Sequence, residues 1–349
     1  MGWIRGALGV AGGRHPVTVD GTTPEDAAFE VFLRPQWTEQ GRPTEPASAP
    51  DLARGDDLDG AEAVDAGEVR EVYLPLARWI EEWVTERRES VGDGRPTPAV
   101  VGITGSVAAG KTTTARVLAE LLRRGPDRPT VDLLATDSFL LPNRVLGQRG
   151  LLGRKGFPET YDRRALAAAV EAVRSGQAEV AVPVYRHAAY DIVPDEVQWI
   201  RRPDLLLVEG LAVLRDGPVD GGPESAGSRS LVDLAVYIDA DESALHHWHT
   251  ERLLGLRSGN GSDGGDGGDS GGGDSGGGDS GEFLRWLRSL SDAEALAVAT
   301  SSWSEINLVN LREHVAPTRA RADVILEKDD HHRVHRVLVR HPPDPSRAE

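Results

Sequence analysis

From residue 67 onwards, short apolar runs alternate with amphipathic stretches. PAVVGIT (98–104), VDLLATD (131–137), PDLLLVEGLAVL (203–214), LVDLAVYIDAD (231–241) and ADVILEKD (322–329) are bounded runs of leucine and β-branched residues. Apolar residues at consecutive positions over that length predict strands buried on both faces. Between them, TTTARVLAELLRR, RRALAAAVEAVRSGQ, ESALHHWHTERLLGLR (242–257) and AEALAVATSSWSEINLVNLREHV (293–315) repeat apolar residues every three or four positions. These predict helices, the last a long helix or a helix pair. GEVREVYLPLARWIEEWVTERRES (67–90) carries Val69, Val72, Leu74, Leu76, Ile80 and Trp83 near helical spacing, with Pro75 marking a kink or break. EVAVPVYRH reads as a short strand or hairpin arm, and HRVHRVLVR (332–340) as a last strand or helix. Strands alternating with helices predict an α/β fold, a mostly parallel sheet with helices on both faces.

Two segments fall outside this alternation. Residues 1–66 are rich in Pro, Gly, Asp and Glu and read as a largely disordered N-terminal extension. Only FEVFLRPQW (29–37) has an ordered pattern, with aromatics suited to docking on the main body. Residues 258–282 are nearly all Gly, Asp and Ser. A calcium-binding β-roll would need a large apolar residue in each turn, and none occurs, so a disordered acidic insertion is expected. A single domain over 67–257 and 283–341 remains.

Composition then narrows the partners. The 349 residues carry a net charge of -17, which argues against nucleic acid or an anionic membrane as a partner. A phosphate site must be a local basic pocket on an acidic body. Cysteine is absent, which excludes disulfides, thiolate metal sites and cysteine nucleophiles. No apolar run approaches the roughly 20 residues needed to span a bilayer. The start, MGWIRGALGVAGG, is too weak for a signal peptide, and Gly6 stands where a myristoylation motif needs Ser or Thr. A cytoplasmic protein is expected.

The strongest local chemistry is GSVAAGKT, residues Gly105, Ser106, Val107, Ala108, Ala109, Gly110, Lys111 and Thr112. It fits G-x-x-x-x-G-K-[ST] between a predicted strand and a predicted helix. Phosphate oxygens need several donors at once, and backbone N–H groups converge on them only where side chains do not intervene. Gly105 and Gly110 permit that approach, and the helix that follows adds its N-terminal partial charge. Lys111 is placed to reach the β- and γ-phosphates of ATP, and the Thr112 hydroxyl to ligate Mg²⁺. Thr113 and Thr114 fall in the first helical turn.

In a doubly wound sheet, ligands gather at the carboxyl ends of the strands. Asp137 ends the second strand and Glu209 the third. A carboxylate at Asp137 can orient an attacking hydroxyl and take its proton, or serve as a helix cap or magnesium-shell ligand. Glu209 suits a magnesium-holding role, or is a polar group at the sheet edge.

GSVAAGKTTTARVLAELL, TDSFLLPNRVL, RGLLGRKGFPETYD, VYRHAAYDIVPD, LLVEGLAVL and WSEINLVNL, in this order, together resemble bacterial type I pantothenate kinases. VREVYLPLARWI resembles that family's N-terminal helix, so the likeness runs over roughly residues 68–330. The resemblance implies the P-loop kinase fold and ATP-dependent phosphorylation of the terminal hydroxyl of pantothenate, the first committed step towards coenzyme A. It implies Lys111 and Thr112 for ATP and magnesium, and Asp137 as catalytic base. Tyr185 and His187 would lie at the pantothenate and coenzyme A site. Arg252 would neutralise phosphate or the acceptor's carboxylate, and Asn307 would hydrogen-bond the acceptor. Arg116 would contact coenzyme A, a feedback inhibitor that competes with ATP. The family is typically a homodimer, built partly through the helix after the P-loop.

One stretch departs from the family pattern. Where the family carries Tyr-x-x-Arg-Phe and a further Phe along the acceptor, this chain reads His249, Arg252, Leu253 and Leu256. Uridine kinases and phosphoribulokinases share the strand-end arrangement, though VYRHAAYD and EINLVNL favour pantothenate. The altered wall is also compatible with a weakly active nucleotide or coenzyme A sensor.

Overall fold

The computed structural model describes residues 24–40, 64–91, 97–187, 189–214, 230–258 and 282–341. The 259–281 part of the glycine-rich tract lies outside them. A seven-stranded sheet forms the centre, in the order β1-β9-β8-β7-β2-β6-β3. Its strands are β1 (Phe29–Leu33), β2 (Ala99–Gly105), β3 (Val131–Ala135), β6 (Leu205–Glu209), β7 (Leu234–Ala240), β8 (Val324–Lys328) and β9 (Val334–Arg340). β8, β7, β2, β6 and β3 run parallel. β9 is antiparallel to β8, and β1 is antiparallel to β9. Every residue of β2 and β8 is buried, which is why β2 and residues 324–326 of β8 read as unbroken non-polar runs rather than alternating ones, with the charged Glu327 and Lys328 buried at the end of β8.

The segment 29–37, the one ordered pattern read in the N-terminal extension, does dock on the main body, and Phe29–Leu33 goes further and forms the edge strand of this sheet. Helix α1 (Arg34–Gln40) follows it and buries Trp37, whose indole N–H donates to the Val72 carbonyl at 3.1 Å. A charged cluster ties the same region down: the Arg319 guanidinium bonds the carboxylates of Asp26, Asp239 and Glu327 at 2.6–2.9 Å.

Pro75 lies one residue inside helix α2 (Leu74–Val91). The turn before it, Val69–Tyr73, is wound as a π-helix, with the Leu74 N–H bonded to the Val69 carbonyl. A π-turn shifts the hydrogen-bond ladder by one residue, so the missing proline N–H is absorbed without a break. α2 packs on helix α3 (Lys111–Arg123), which lies against β2, β3 and β6. The apolar residues of α3 between Ala115 and Leu122 are therefore core, not an exposed face.

A separate antiparallel hairpin, β4 (Val180–Arg186) with β5 (Asp191–Ile200), follows helix α4 (Arg163–Arg174). It leans on the edge of β3, where the Gln198 side-chain amide donates to the Leu133 carbonyl at 2.7 Å. Helices α5 (Glu242–Ser258), α6 (Glu282–Ser289) and α7 (Asp292–Ser302) come next, and α7 continues through π-turns to Val315. No described helix is long and apolar enough to cross a membrane.

Candidate active site

Parallel pairing puts Ile103 of β2 and Ala135 of β3 on either side of Glu209. Gly105, Asp137 and Glu209 therefore converge at one edge. Chain order also reverses here: β3 lies to one side of β2, β7 and β8 to the other, which opens a crevice at the strand ends.

The loop after β2 shows what its glycines are for. Gly105 has φ 141°, and a Cβ there would sit 2.3 Å from the Ile238 carbonyl oxygen. Gly110 has φ 89° and begins α3 with no side chain capping the helix. A helix start without a side-chain cap suits an anion. The Lys111 ammonium donates to the Ser106 carbonyl at 2.7 Å, curled over its own loop. Ser106 Oγ is buried without a hydrogen-bond partner among the described residues. An orphaned buried hydroxyl, an uncapped helix start and a lysine beside them form a donor set that fits a polyphosphate. Lys328, at the end of β8, braces the loop from behind by donating to the Ala109 carbonyl at 3.1 Å.

Thr112 Oγ1 donates to Glu209 Oε1 at 3.0 Å. Burial pushes the Glu209 carboxyl above the ordinary range; Lys111 pulls it down and Asp137 pushes it up. A hydroxyl and a carboxylate in contact beside a phosphate loop are the oxygen donors a magnesium ion takes, so the residues fit that ion. Arg116, on α3, also acts on Glu209.

Asp137 sits in a single 3₁₀ turn, Thr136–Phe139, just past β3. Its Oδ1 accepts from the Tyr161 hydroxyl at 3.2 Å. Burial, and then the Asp137 charge, hold the Tyr185 phenol far above its usual range, so Tyr185 is a neutral donor. Tyr185 and His187 stand edge to face, ring centroids 5.2 Å apart. The structure thus brings the phosphate loop, Glu209, Asp137 and Tyr185 together.

His249, Arg252 and Asn307 form a second group. His249 Nε2 lies 2.9 Å from Ser302 Oγ and 3.4 Å from Asn307 Nδ2. The Ser302 hydroxyl also donates to the Ala299 carbonyl at 3.0 Å. Burial, then the nearby Arg252 charge, lower the imidazole to about 4. Arg252 is exposed, and among the described residues it has neither an ion pair nor a hydrogen bond to the Asp137 group. What joins the two groups is aromatic and backbone contact. Tyr190 stacks on Phe283 at 5.2 Å, Phe283 packs on the Leu253, Leu256 and Leu287 cluster, and Asn310 Nδ2 donates to the Gly156 carbonyl. The wall expected from Leu253 and Leu256 thus includes one ring, supplied by α6.

Sequence reading missed Lys155. Its ammonium donates to Asn143 Oδ1 at 2.7 Å and to the Tyr190 carbonyl, and lies 4.1 and 4.9 Å from the ring centroids of Tyr190 and Tyr185. Burial pulls it down to about 8, against the opposing charges of Asp191 and Asp137. One signal was present: only three lysines stand among 39 basic residues, and the other two are Lys111 and Lys328.

Known proteins identify the family. A model of the Phosphoribulokinase / Uridine kinase family matches residues 100–254. The pantothenate kinase of Myxococcus xanthus is 40% identical over 307 residues, 84% of this chain and 92% of that protein. The chain belongs to the pantothenate kinase family. The pantothenate kinases of Sodalis glossinidius (43% identical, 78% of this chain and 84% of that one) and Leifsonia xyli (41%, 95% and 98%) agree. A solved structure of the YGR205w protein aligns at 15% identity and a TM-score of 0.49, covering 78% of this chain and 99% of that one. The family match makes the chain a P-loop kinase with the α/β fold described above.

Proposed function

We propose that this chain transfers the γ-phosphoryl group of ATP to the terminal hydroxyl of pantothenate, giving 4'-phosphopantothenate and ADP. The observation that carries the reading is the placing of Asp137, held by Tyr161, beside the Thr112–Glu209 pair and the phosphate loop. Gly105 to Thr113 hold the triphosphate through backbone N–H groups, Ser106 Oγ and Lys111. Thr112 and Glu209 would hold Mg²⁺, which when bound would neutralise phosphate charge.

Asp137 accepts the acceptor's hydroxyl proton as the new oxygen–phosphorus bond forms and the bond to the β-phosphate oxygen breaks. Tyr185 and His187 on one side, and His249 and Asn307 on the other, offer hydrogen bonds to the hydroxyl and amide of pantothenate. Arg252, exposed and without an ion-pair partner among the described residues, meets the acceptor's carboxylate or the transferring phosphate. Coenzyme A would compete with ATP through Arg116, a homodimer is the working assembly, and the cytoplasm is the place of action.

The test is a panel of small alcohols with MgATP, read by ADP release and product mass. Pantothenate is expected to be turned over far faster than uridine or ribulose 5-phosphate. ATP binding without any phosphopantothenate would overturn the proposal in favour of a sensor.

A further inference from the structure

We infer that Asn143 is a positioning residue that holds the Lys155 ammonium against the hairpin turn and keeps it charged beside Asp137. The inference rests on the acceptor site just proposed, and it starts from a closed set of bonds. The Asn143 backbone N–H donates to Asp191 Oδ1 at 2.9 Å. Its side-chain Nδ2 donates to the Tyr190 carbonyl at 3.0 Å, and its Oδ1 accepts from Lys155 Nζ at 2.7 Å. Lys155 closes the ring by donating to the same Tyr190 carbonyl. Chemistry leaves one way round for this amide: an ammonium only donates and a carbonyl only accepts, so the oxygen must face Lys155.

Asn143 thus joins three segments: the loop after β3, the loop carrying Lys155, and the turn between β4 and β5. Tyr190 in that turn has φ 52°, a backbone state that a non-glycine residue keeps only when its surroundings hold it. Asp191 Oδ1 also takes the Ile192 N–H at 2.8 Å, so the turn is clamped on both sides of its peptide units. The titratable groups facing the lysine are Asp137 from the loop after β3, Asp191 and Tyr190 from the turn, and Tyr185 from β4; Tyr161 bonds Asp137.

Burial lowers the amine, the charges of Asp191 and Asp137 oppose that, and the balance lies at about 8. A short bond to an amide oxygen favours the charged form. Removing that oxygen should therefore lower the lysine's midpoint, and making it a carboxylate should raise it.

The full-length protein and its Asn143→Ala and Asn143→Asp variants test this. Each is labelled with acetic anhydride between about pH 6 and about pH 10, and the Lys155 peptide is followed by mass spectrometry. Lys111 and Lys328, the other two lysines, serve as internal references. The Ala variant should move the Lys155 midpoint down by about one unit and the Asp variant up by about one unit. The alkaline limb of kcat/KM for pantothenate should follow each. Midpoints that move together, or by less than a third of a unit, overturn the inference, because a merely structural role has no sign. The near-isosteric Asp variant keeps the test alive should the Ala variant unfold. Labelling needs no acceptor, so a wild-type protein that failed to phosphorylate pantothenate would sink the proposed substrate and leave the Asn143 result standing.

Discussion

Asp137→Asn isolates the proton-accepting step from everything else in the site. The amide keeps the shape of the carboxyl group, and its oxygen can still accept from the Tyr161 hydroxyl at 3.2 Å, so the turn after β3 keeps its anchor. What disappears is one negative charge and the capacity to take a proton. A positioned general base is worth about 10²–10⁴ in rate, or about 3–5 kcal/mol of barrier, and the fall in kcat should lie in that range. Nucleotide affinity should not fall with it. Asp137 lies close enough to Glu209 to act on its titration, so losing the Asp137 charge leaves the phosphate pocket less negative, and the Kd for MgATP should stay level or tighten. Asp137 also helps to keep Lys155 protonated, so kinetics belong at pH 7 and below, where that lysine stays charged in the wild type. The assay is coupled ADP release with saturating pantothenate, beside a direct titration of nucleotide binding. A variant whose kcat stays within tenfold of wild type, or one that loses ATP binding and turnover in parallel, refutes the role assigned to this carboxylate.

Glu209→Gln should separate stability from activity. Its folded carboxyl is raised above the unfolded one, so stability is lost as pH rises between the two, and at neutral pH the charge costs the ligand-free protein. The Gln variant should therefore melt higher without ligand and lose about a hundredfold or more in Mg²⁺-dependent kcat, measured by thermal scans and initial rates. His249 runs the other way with pH. Its folded value of about 4 lies below the ordinary 6.5, so the unfolded chain takes up the proton first and stability falls as pH drops through that window. His249→Gln should flatten the fall in Tm between about pH 6.5 and about pH 4, while at pH 7 the ring is neutral and KM for pantothenate shows no titration from it. Arg252→Ala should leave stability within about 0.5 kcal/mol, because the side chain is exposed, while turnover falls about tenfold to hundredfold; a proportional loss of both would remove Arg252 from the site.

The phosphate loop was readable because it is local. Eight consecutive residues carry the dihedral requirements at Gly105 and Gly110, the cation at Lys111 and the hydroxyl at Thr112, and no distant contact alters their meaning. The strand-end carboxylates were readable for a similar reason: each closes an apolar run, and parallel pairing brings such ends together. What the residues could not disclose is order. Five buried runs look alike, so nothing in them says that β7 borders β2 while β3 lies beyond β6. Phe29–Leu33 was hidden in the same way, since its partner, β9, lies about 300 residues later and the charged clamp from Arg319 to Asp26 spans 293 positions.

Lys155 was missed for a different reason. A lysine in a loop usually marks a solvated surface, and the quoted RGLLGRKGFPETYD block offers no periodicity to say otherwise. Its meaning lies in the rest of the chain. A protein that satisfies almost every cationic position with arginine has kept lysine where arginine cannot serve. Arginine presents a wide planar fork that holds its proton under all ordinary conditions, whereas an ammonium is compact and can titrate when buried. The three lysines found here each need that compactness: Lys111 over the Ser106 carbonyl, Lys328 behind Ala109, and Lys155 between two tyrosine rings and an amide oxygen. Scarcity of one residue type, set against abundance of its nearest substitute, is thus itself a signal of chemistry: in this chain Lys111 and Lys155 lie at the strand-end crevice, and Lys328 supports the phosphate loop from behind.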